Sequence, residues 1–188
     1  MRKIVLFMHT SLDGFVAGPN GEMDWIKVDN EIFDYVGKRT DQSDTALYGR
    51  VTYDLMEGYW PTAAEKPGAT KHTIDHSKWY ASVSKIVASR TMKGKNPKNT
   101  KIISENIQNE ILKIKETEGK EILVFGSPSV GHVLMQHNLI DEYWLFVNPV
   151  LLGKGIPLFK DIQELKKLKL MKSHVFSSGV NCVNYSGI

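Results

Sequence analysis

Glu121-Ile122-Leu123-Val124-Phe125-Gly126-Ser127-Pro128-Ser129-Val130 is an apolar run that stops at a glycine and turns at once into a helix start. Four apolar residues without a polar break suit a strand buried on both faces, since a strand with one wet face would alternate. Pro128 fits the first helical turn, where an N–H lacks a partner anyway. Val130, Val133 and Leu134 then recur on one helical side, with Leu139 just past the end. The same unit appears elsewhere. Lys3–Met8 is a strand, and a helix capped by Asn30 is expected through Arg39. Thr45–Tyr48 is a strand ending at Gly49, followed by a helix over Arg50–Met56.

Between these units the pattern changes. His9–Trp25 carries Gly14, Gly18, Pro19 and Gly21 and is expected to be a loop. Residues 59–69, with Trp60, Pro61 and Pro67, look like an irregular surface connection, and 72–78 like a short polar helix. Ser84–Ala88 and Lys101–Ser104 are strands around a basic, turn-rich loop. Ile107, Ile111, Leu112 and Ile114 line a helix, and Asp141–Asn148 is a strand before a glycine-bearing loop at 150–157. Leu168–Ser177 and Val180–Tyr185 read as an antiparallel hairpin turning at Ser178-Gly179. Helices between buried strands predict an α/β chain with a mixed, mostly parallel central sheet and a C-terminal antiparallel hairpin. At 188 residues one domain, 1–188, is expected.

Composition narrows the function. Lys and Arg exceed Asp and Glu by 24 to 21, and a net charge of +3 gives no reason to expect nucleic acid. The longest apolar runs fall far short of the roughly 20 residues of a membrane span, and the amino end lacks a secretory core. Cys182 is the only cysteine, so neither an intrachain disulfide nor a cysteine-rich metal site is available. A reducing, cytoplasmic setting is expected. His72 and His76 have helical spacing but no third ligand nearby, so no metal is expected.

Ligands of parallel sheets bind at the carboxyl ends of strands, and polar or glycine-rich segments fall at four such ends. Gly126 lets backbone approach a ligand, and the helix start after it offers N–H groups suited to phosphate, with Ser127 and Ser129 as added donors. A plain capped turn is the simpler reading of the same residues. Arg50 and Thr52 follow Gly49, and Arg90 stands between Ser89 and Thr91. Two arginines at neighbouring strand ends suit a ligand with more than one phosphate, although surface arginines are ordinary. In the first loop Asp13 either closes a turn or acts on a ligand. Asp24 beside Trp25 is expected to be partly buried, which would raise its pKa and fit it to donate a proton or anchor a ring nitrogen. Trp25 would pack on a flat ligand or in the core. Hydrolase and P-loop signatures are missing.

Ser11-Leu12-Asp13-Gly14-Phe15-Val16-Ala17, Met23-Asp24-Trp25, Leu47-Tyr48-Gly49-Arg50-Val51-Thr52-Tyr53, Ser89-Arg90-Thr91, Gly126-Ser127, Leu139-Ile140-Asp141-Glu142-Tyr143 and Pro149–Gly155 occur in one order across the chain. This ordered set resembles the dihydrofolate reductase-like superfamily, in the branch of the carboxyl-terminal reductase domain of the riboflavin biosynthesis protein RibD. The resemblance implies a three-layer dihydrofolate reductase-like fold, binding of NADPH, and hydride transfer to a small flat heterocycle, pterin- or pyrimidine-like. It implies that Gly49, Arg50 and Thr52 lie near cofactor phosphates. Ser89 and Arg90, with Thr91 beside them, would lie at the adenosine phosphate end, and Gly126, Ser127, Pro128, Ser129 and Val130 around the pyrophosphate. Asp24, then Asp13, are the candidate acids at the substrate, with Trp25 beside them. It also implies a homodimer. Two alternatives stand beside it: the 5-amino-6-(5-phosphoribosylamino)uracil reductase of riboflavin biosynthesis, and a non-catalytic nucleotide-binding homodimer. Riboflavin reductases usually carry Glu-Gly-Gly where this chain has Phe125-Gly126-Ser127, which counts against the first alternative.

Overall fold

A computed structural model describes residues 1–187. Among them β1 (Ile4–Ser11), β2 (Phe15–Ala17), α1 (Asn30–Thr40), β3 (Ser43–Gly49), α2 (Arg50–Ala63) and α3 (Lys71–Ser82) come first. Then follow β4 (Ser84–Ala88), β5 (Thr100–Ile103), α4 (Ile107–Glu116), β6 (Glu121–Val124), α5 (Pro128–Gln136), β7 (Glu142–Asn148), β8 (Ile156–Pro157), β9 (Leu168–Val175) and β10 (Asn181–Gly187).

The main sheet has the order β5-β4-β3-β6-β1-β7-β10-β9. The six strands from β5 to β7 are mutually parallel, and β10 and β9 are antiparallel additions, as the sequence pattern predicts. Ile4, Val5 and Leu6 of β1 and Ile122, Leu123 and Val124 of β6 are fully buried, which is why their sequences do not alternate. The chain moves one way across the sheet from β1 to β5, then reverses. Right-handed crossovers therefore place α1, α2 and α3 on one face and α4 and α5 on the other. The buried clusters follow this division. Ile32 and Val36 of α1 pack on Val5 and Leu123, and Tyr53 of α2 and Tyr80 of α3 pack on Tyr48 and Val87. Ile111 of α4 and Leu134 of α5 pack on Ile4, Leu6 and Val124 from the other side. No helix among the described residues is long and apolar enough to cross a membrane.

Several local expectations change. His9, Thr10 and Ser11 continue β1, and Phe15–Ala17 pairs with Ile156–Pro157, so neither 9–25 nor 150–157 is loop throughout. α1 is capped by Asp29, whose carboxylate accepts from Ile32 N at 2.9 Å, and not by Asn30. α2 runs on through Pro61 to Ala63. Pro61 lies in the last turn of α2, and beside it Trp60 packs its ring 4.1 Å from His76 of α3. α3 itself spans twelve residues, capped by Thr70. Cys182 is buried against the α1 face, and burial pushes its thiol up to about 12, so it is inert as a nucleophile.

Candidate functional site

The carboxyl ends of β3 and β6 meet in a tight backbone junction. Gly49 N donates to Gly126 O at 3.0 Å, and Phe125 N to Leu47 O at 3.2 Å. A Cβ on Gly49 would fall on Ser127 Oγ and press on Ser127 Cβ, so glycine allows this approach without displacing Ser127. Gly126 has φ +112°, where other residues are strained, and its α-carbon faces Thr52 Oγ1. The Gly126–Ser127 peptide is cis. Ser127 occupies the N-cap of α5 without a side-chain capping bond; its hydroxyl meets Ser129 Oγ at 2.7 Å instead. Both hydroxyls thus stand at a helix start whose N–H groups no side chain caps, an arrangement that favours an anion. The expectation that Ser127 is an ordinary cap is corrected by this geometry.

Beside this junction opens a cavity of about 830 Å³ between the ends of β4 and β5 and the start of α5. Ser89, Arg90, Lys93, Glu105, Ser129 and Val130 are among its walls. Lys93 and Glu105 pair across it at 2.6 Å, and the bond to Lys93 holds the Glu105 carboxyl below its ordinary range. The structure therefore brings Gly49, Thr52, Gly126, Ser127, Ser129 and Val130 into one junction with Ser89 and Arg90 next to it. Pro128 supplies the first residue of α5. Arg50 and Thr91 are not among the cavity walls. Arg50 is exposed and pairs with Asp54 one turn along α2 at 3.0 Å, and the Thr91 hydroxyl meets Ser89 Oγ at 3.2 Å.

The end of β1 presents a second set of residues. Asp13 is exposed, and its two oxygens accept from Leu152 N at 3.2 Å and Gly153 N at 2.7 Å. The Ser11 hydroxyl, then these N–H groups, hold its carboxyl below the usual range. Asp13 is thus engaged, through both carboxylate oxygens, in joining two loops. Asp24 is exposed, contrary to the partly buried position expected. Its neighbour Trp25 is half-buried, outside the core clusters, and donates from Nε1 to Glu22 O at 3.1 Å, so the tryptophan does not draw the carboxylate inward.

Sequence reading missed His9, Asn148, Lys93 and Glu105. His9 lies on β1 two residues before its end, its ring stacked 4.9 Å from Phe146, and burial lowers its pKa to about 4, so the imidazole is neutral at pH 7. Asn148 is fully buried and ties three segments together: Nδ2 donates to Thr10 O and Phe146 O, and Oδ1 accepts from Lys27 N at 2.9 Å. That bond seats the segment after Trp25 over the end of β1. A histidine directly after the apolar run of β1 and an asparagine ending β7 are the available signals. Phe125 lies 5.1 Å from Phe7, 5.6 Å from Trp79 and 5.9 Å from Tyr48, ring to ring, giving an apolar wall beside Gly126. No cluster of three His, Cys, Asp or Glu among the described residues has metal-holding geometry.

The family model described as the RibD C-terminal domain matches residues 2–182. The chain belongs to the RibD C-terminal domain family. Within reach of that family lies the uncharacterized protein YyaP of Bacillus subtilis (strain 168), 37% identical over 188 residues, covering 98% of this chain and 94% of YyaP. A putative riboflavin biosynthesis protein from Shewanella sp. PV-4 superposes with a TM-score of 0.75 at 21% identity, covering 99% of each chain. Dihydrofolate reductase from Enterococcus faecalis, complexed with NADP(H), superposes with a TM-score of 0.64 at 11% identity over 98% of this chain and 96% of the reductase. These two likenesses establish the fold: this RibD C-terminal domain is dihydrofolate reductase-like. The fold class and the family expected from the ordered motifs are thereby confirmed.

Proposed function

We propose that the protein is an NADPH-dependent reductase of a small, flat heterocycle. The observation that carries this reading is the cavity walled by Ser89, Arg90 and Lys93 next to the uncapped start of α5. It offers two cations and several hydroxyls at one end of a junction where glycines leave backbone bare. Those residues fit a dinucleotide with an extra phosphate: Arg90 and Lys93 hold the adenosine phosphate, and Ser127, Ser129 and the first turn of α5 hold the pyrophosphate. Gly49 and Gly126 leave room for close backbone approach, with Thr52 beside them. NADPH, when bound, supplies a hydride.

The chain's own contribution at the other end is positioning and exclusion of water. His9, stacked on the buried Phe146, packs with the partly exposed rings of Phe7 and Phe125, and the substrate's flat ring would lie over the exposed edges of this cluster. Asp13 fastens the 150–153 segment at the rim. Asp24, exposed on the Trp25 loop, anchors a ring N–H of the substrate, and the proton comes from solvent at this open rim. Phe125 stands where the riboflavin reductases have glutamate and accepts no hydrogen bond, which favours a substrate other than the phosphoribosylamino uracil. The test is oxidation of NADPH by the purified protein against a panel of pterins, pyrimidines and related heterocycles. Turnover with one class supports the reading. NADPH binding without turnover of any member favours the non-catalytic alternative.

A further inference from the structure

The main sheet opens at one place along the carboxyl ends of its strands. β6 pairs with β1 only as far as Leu6 opposite Val124, whereas β7 follows β1 through to Ser11 opposite Asn148. Met8, His9 and Thr10 therefore have no β6 partner on the side where the chain turns away at Gly126. The chain leaves β1 and β6 in opposite directions, α1 crossing one face of the sheet and α5 the other. A crevice at such a reversal is where ligands enter an open α/β sheet. Met8 borders it from the α5 side, its Cε 3.8 Å from where a Cβ on Gly126 would stand. His9, the next residue, points to the α1 side with Phe7, and Phe125 packs on Phe7 there.

Asn148 decides which nitrogen of His9 carries the proton. The asparagine is fully buried, and its Oδ1 accepts from Lys27 N at 2.9 Å while Nδ2 donates to Thr10 O at 3.2 Å and Phe146 O at 3.1 Å. Turning the amide round would set Nδ2 against an N–H and Oδ1 against two carbonyls, so its orientation is fixed. Nδ2 also lies 3.5 Å from His9 Nδ1. A proton on Nδ1 would meet that NH2 group donor to donor. Nδ1 therefore stays bare, and the neutral ring carries its proton on Nε2. Nε2 has no acceptor among the described residues, yet it is not one of the polar atoms shielded from solvent without a partner. The edge of this half-buried ring that faces away from Asn148 is thus an open donor. A neutral imidazole holds such a proton too firmly to release it at pH 7, but it orients and polarises whatever accepts from it.

We propose that His9 Nε2–H donates to an uncharged acceptor on the heterocycle being reduced, a carbonyl oxygen or an unprotonated ring nitrogen. This rests on the reductase reading above and narrows its substrate class. A ring lying over Phe7 and Phe125 covers Nε2, so a heterocycle without that acceptor strands a donor and is rejected. Nitrogen-15 NMR of the ligand-free chain should find the His9 proton on Nε2. The same resonance should shift when the wild type is given the pterin or pyrimidine that it turns over fastest. Kinetics with that compound then compare His9→Phe, which keeps a ring on Phe146 and loses the donor, with His9→Gln, which offers an amide N–H in its place. His9→Phe should lose about tenfold or more in kcat/KM with NADPH affinity unchanged, and His9→Gln should recover most of it. A proton on Nδ1, a resonance that the turned-over compound does not move, or full activity in His9→Phe would overturn the inference while leaving the reductase reading intact. A wild type that turns over no heterocycle would overturn that reading, and this inference with it, even with the proton on Nε2.

Discussion

Alanine at position 49 perturbs the β3–β6 junction most directly. With φ −83° and ψ 162° the backbone of Gly49 suits any residue, so the cost is one of space alone. A Cβ there falls on Ser127 Oγ and lies 3.0 Å from Ser127 Cβ and 3.3 Å from Ser127 N. The hydroxyl can rotate away, which loses its 2.7 Å contact with Ser129 at about 1 kcal/mol. The backbone cannot, because Gly49 N is tied to Gly126 O at 3.0 Å. Shifting that junction by a few tenths of an ångström is overpacking, which costs about 1–3 kcal/mol. The total of about 2–4 kcal/mol converts, at about 2–4 °C per kcal/mol for a chain of this length, into a Tm lower by about 4–16 °C in calorimetry. NADPH affinity falls in the same variant, because the Ser127 hydroxyl has been turned out of the proposed pyrophosphate seat. Gly49→Ala/Ser127→Gly removes the collision and should recover most of the Tm without recovering affinity. An unchanged Tm in Gly49→Ala would refute the close approach, and joint recovery of Tm and affinity in the double variant would refute the role given to the hydroxyl.

Three more expectations follow from the same geometry. His9 titrates at about 4 in the folded chain against 6.5 for the free side chain; its neutral burial is fully tolerated above pH 6.5 and costs stability as pH falls from 6.5 to 4, by roughly 3 kcal/mol in all. NMR titration of the His9 ring should show a midpoint near 4, and a midpoint near 6.5 would contradict its burial. The Asp13 carboxyl is depressed in the fold, so the clamp on Leu152 and Gly153 is complete above the ordinary carboxylate range and lost as pH falls below it. Hydrogen exchange at those two amides should speed up in Asp13→Ala and in acid; equal rates in wild type and variant at neutral pH would dismiss the clamp. Glu105→Gln frees Lys93 from its 2.6 Å pair and should tighten NADPH a few-fold while leaving NADH unchanged. Weaker NADPH binding in that variant would place the carboxylate on the ligand instead.

The parts of the fold legible in the sequence are those written in local pattern. Ile4–Leu6 and Ile122–Val124 are unbroken apolar runs because helices cover both sides of the central strands. The terminal hairpin shows its alternation and its Ser178-Gly179 turn. What stayed hidden depends on partners far along the chain. β2 and β8 pair through a few backbone groups about 140 residues apart, with no side-chain period to betray them. Asp13 finds its acceptors' partners, Leu152 N and Gly153 N, across the same gap. Lys93 sits in a loop that reads as solvated charge, and only the parallel placement of β5 beside β4 brings Ser104 and Glu105 opposite it. The exposure of Asp24 is not legible because a neighbouring tryptophan suggests burial, whereas Trp25 satisfies its ring nitrogen on the nearby Glu22 carbonyl.

The central claim is that the cavity beside α5 takes a dinucleotide carrying an extra phosphate. Calorimetric titration of the wild type and Arg90→Ala with NADPH and with NADH tests it most directly. Removing a charge-assisted phosphate contact costs about 1.5–3 kcal/mol, roughly tenfold or more in affinity. The wild type should prefer NADPH, and Arg90→Ala should lose that preference while its affinity for NADH stays the same. Failure of either nucleotide to bind the wild type, or an equal loss for both in the variant, would contradict it.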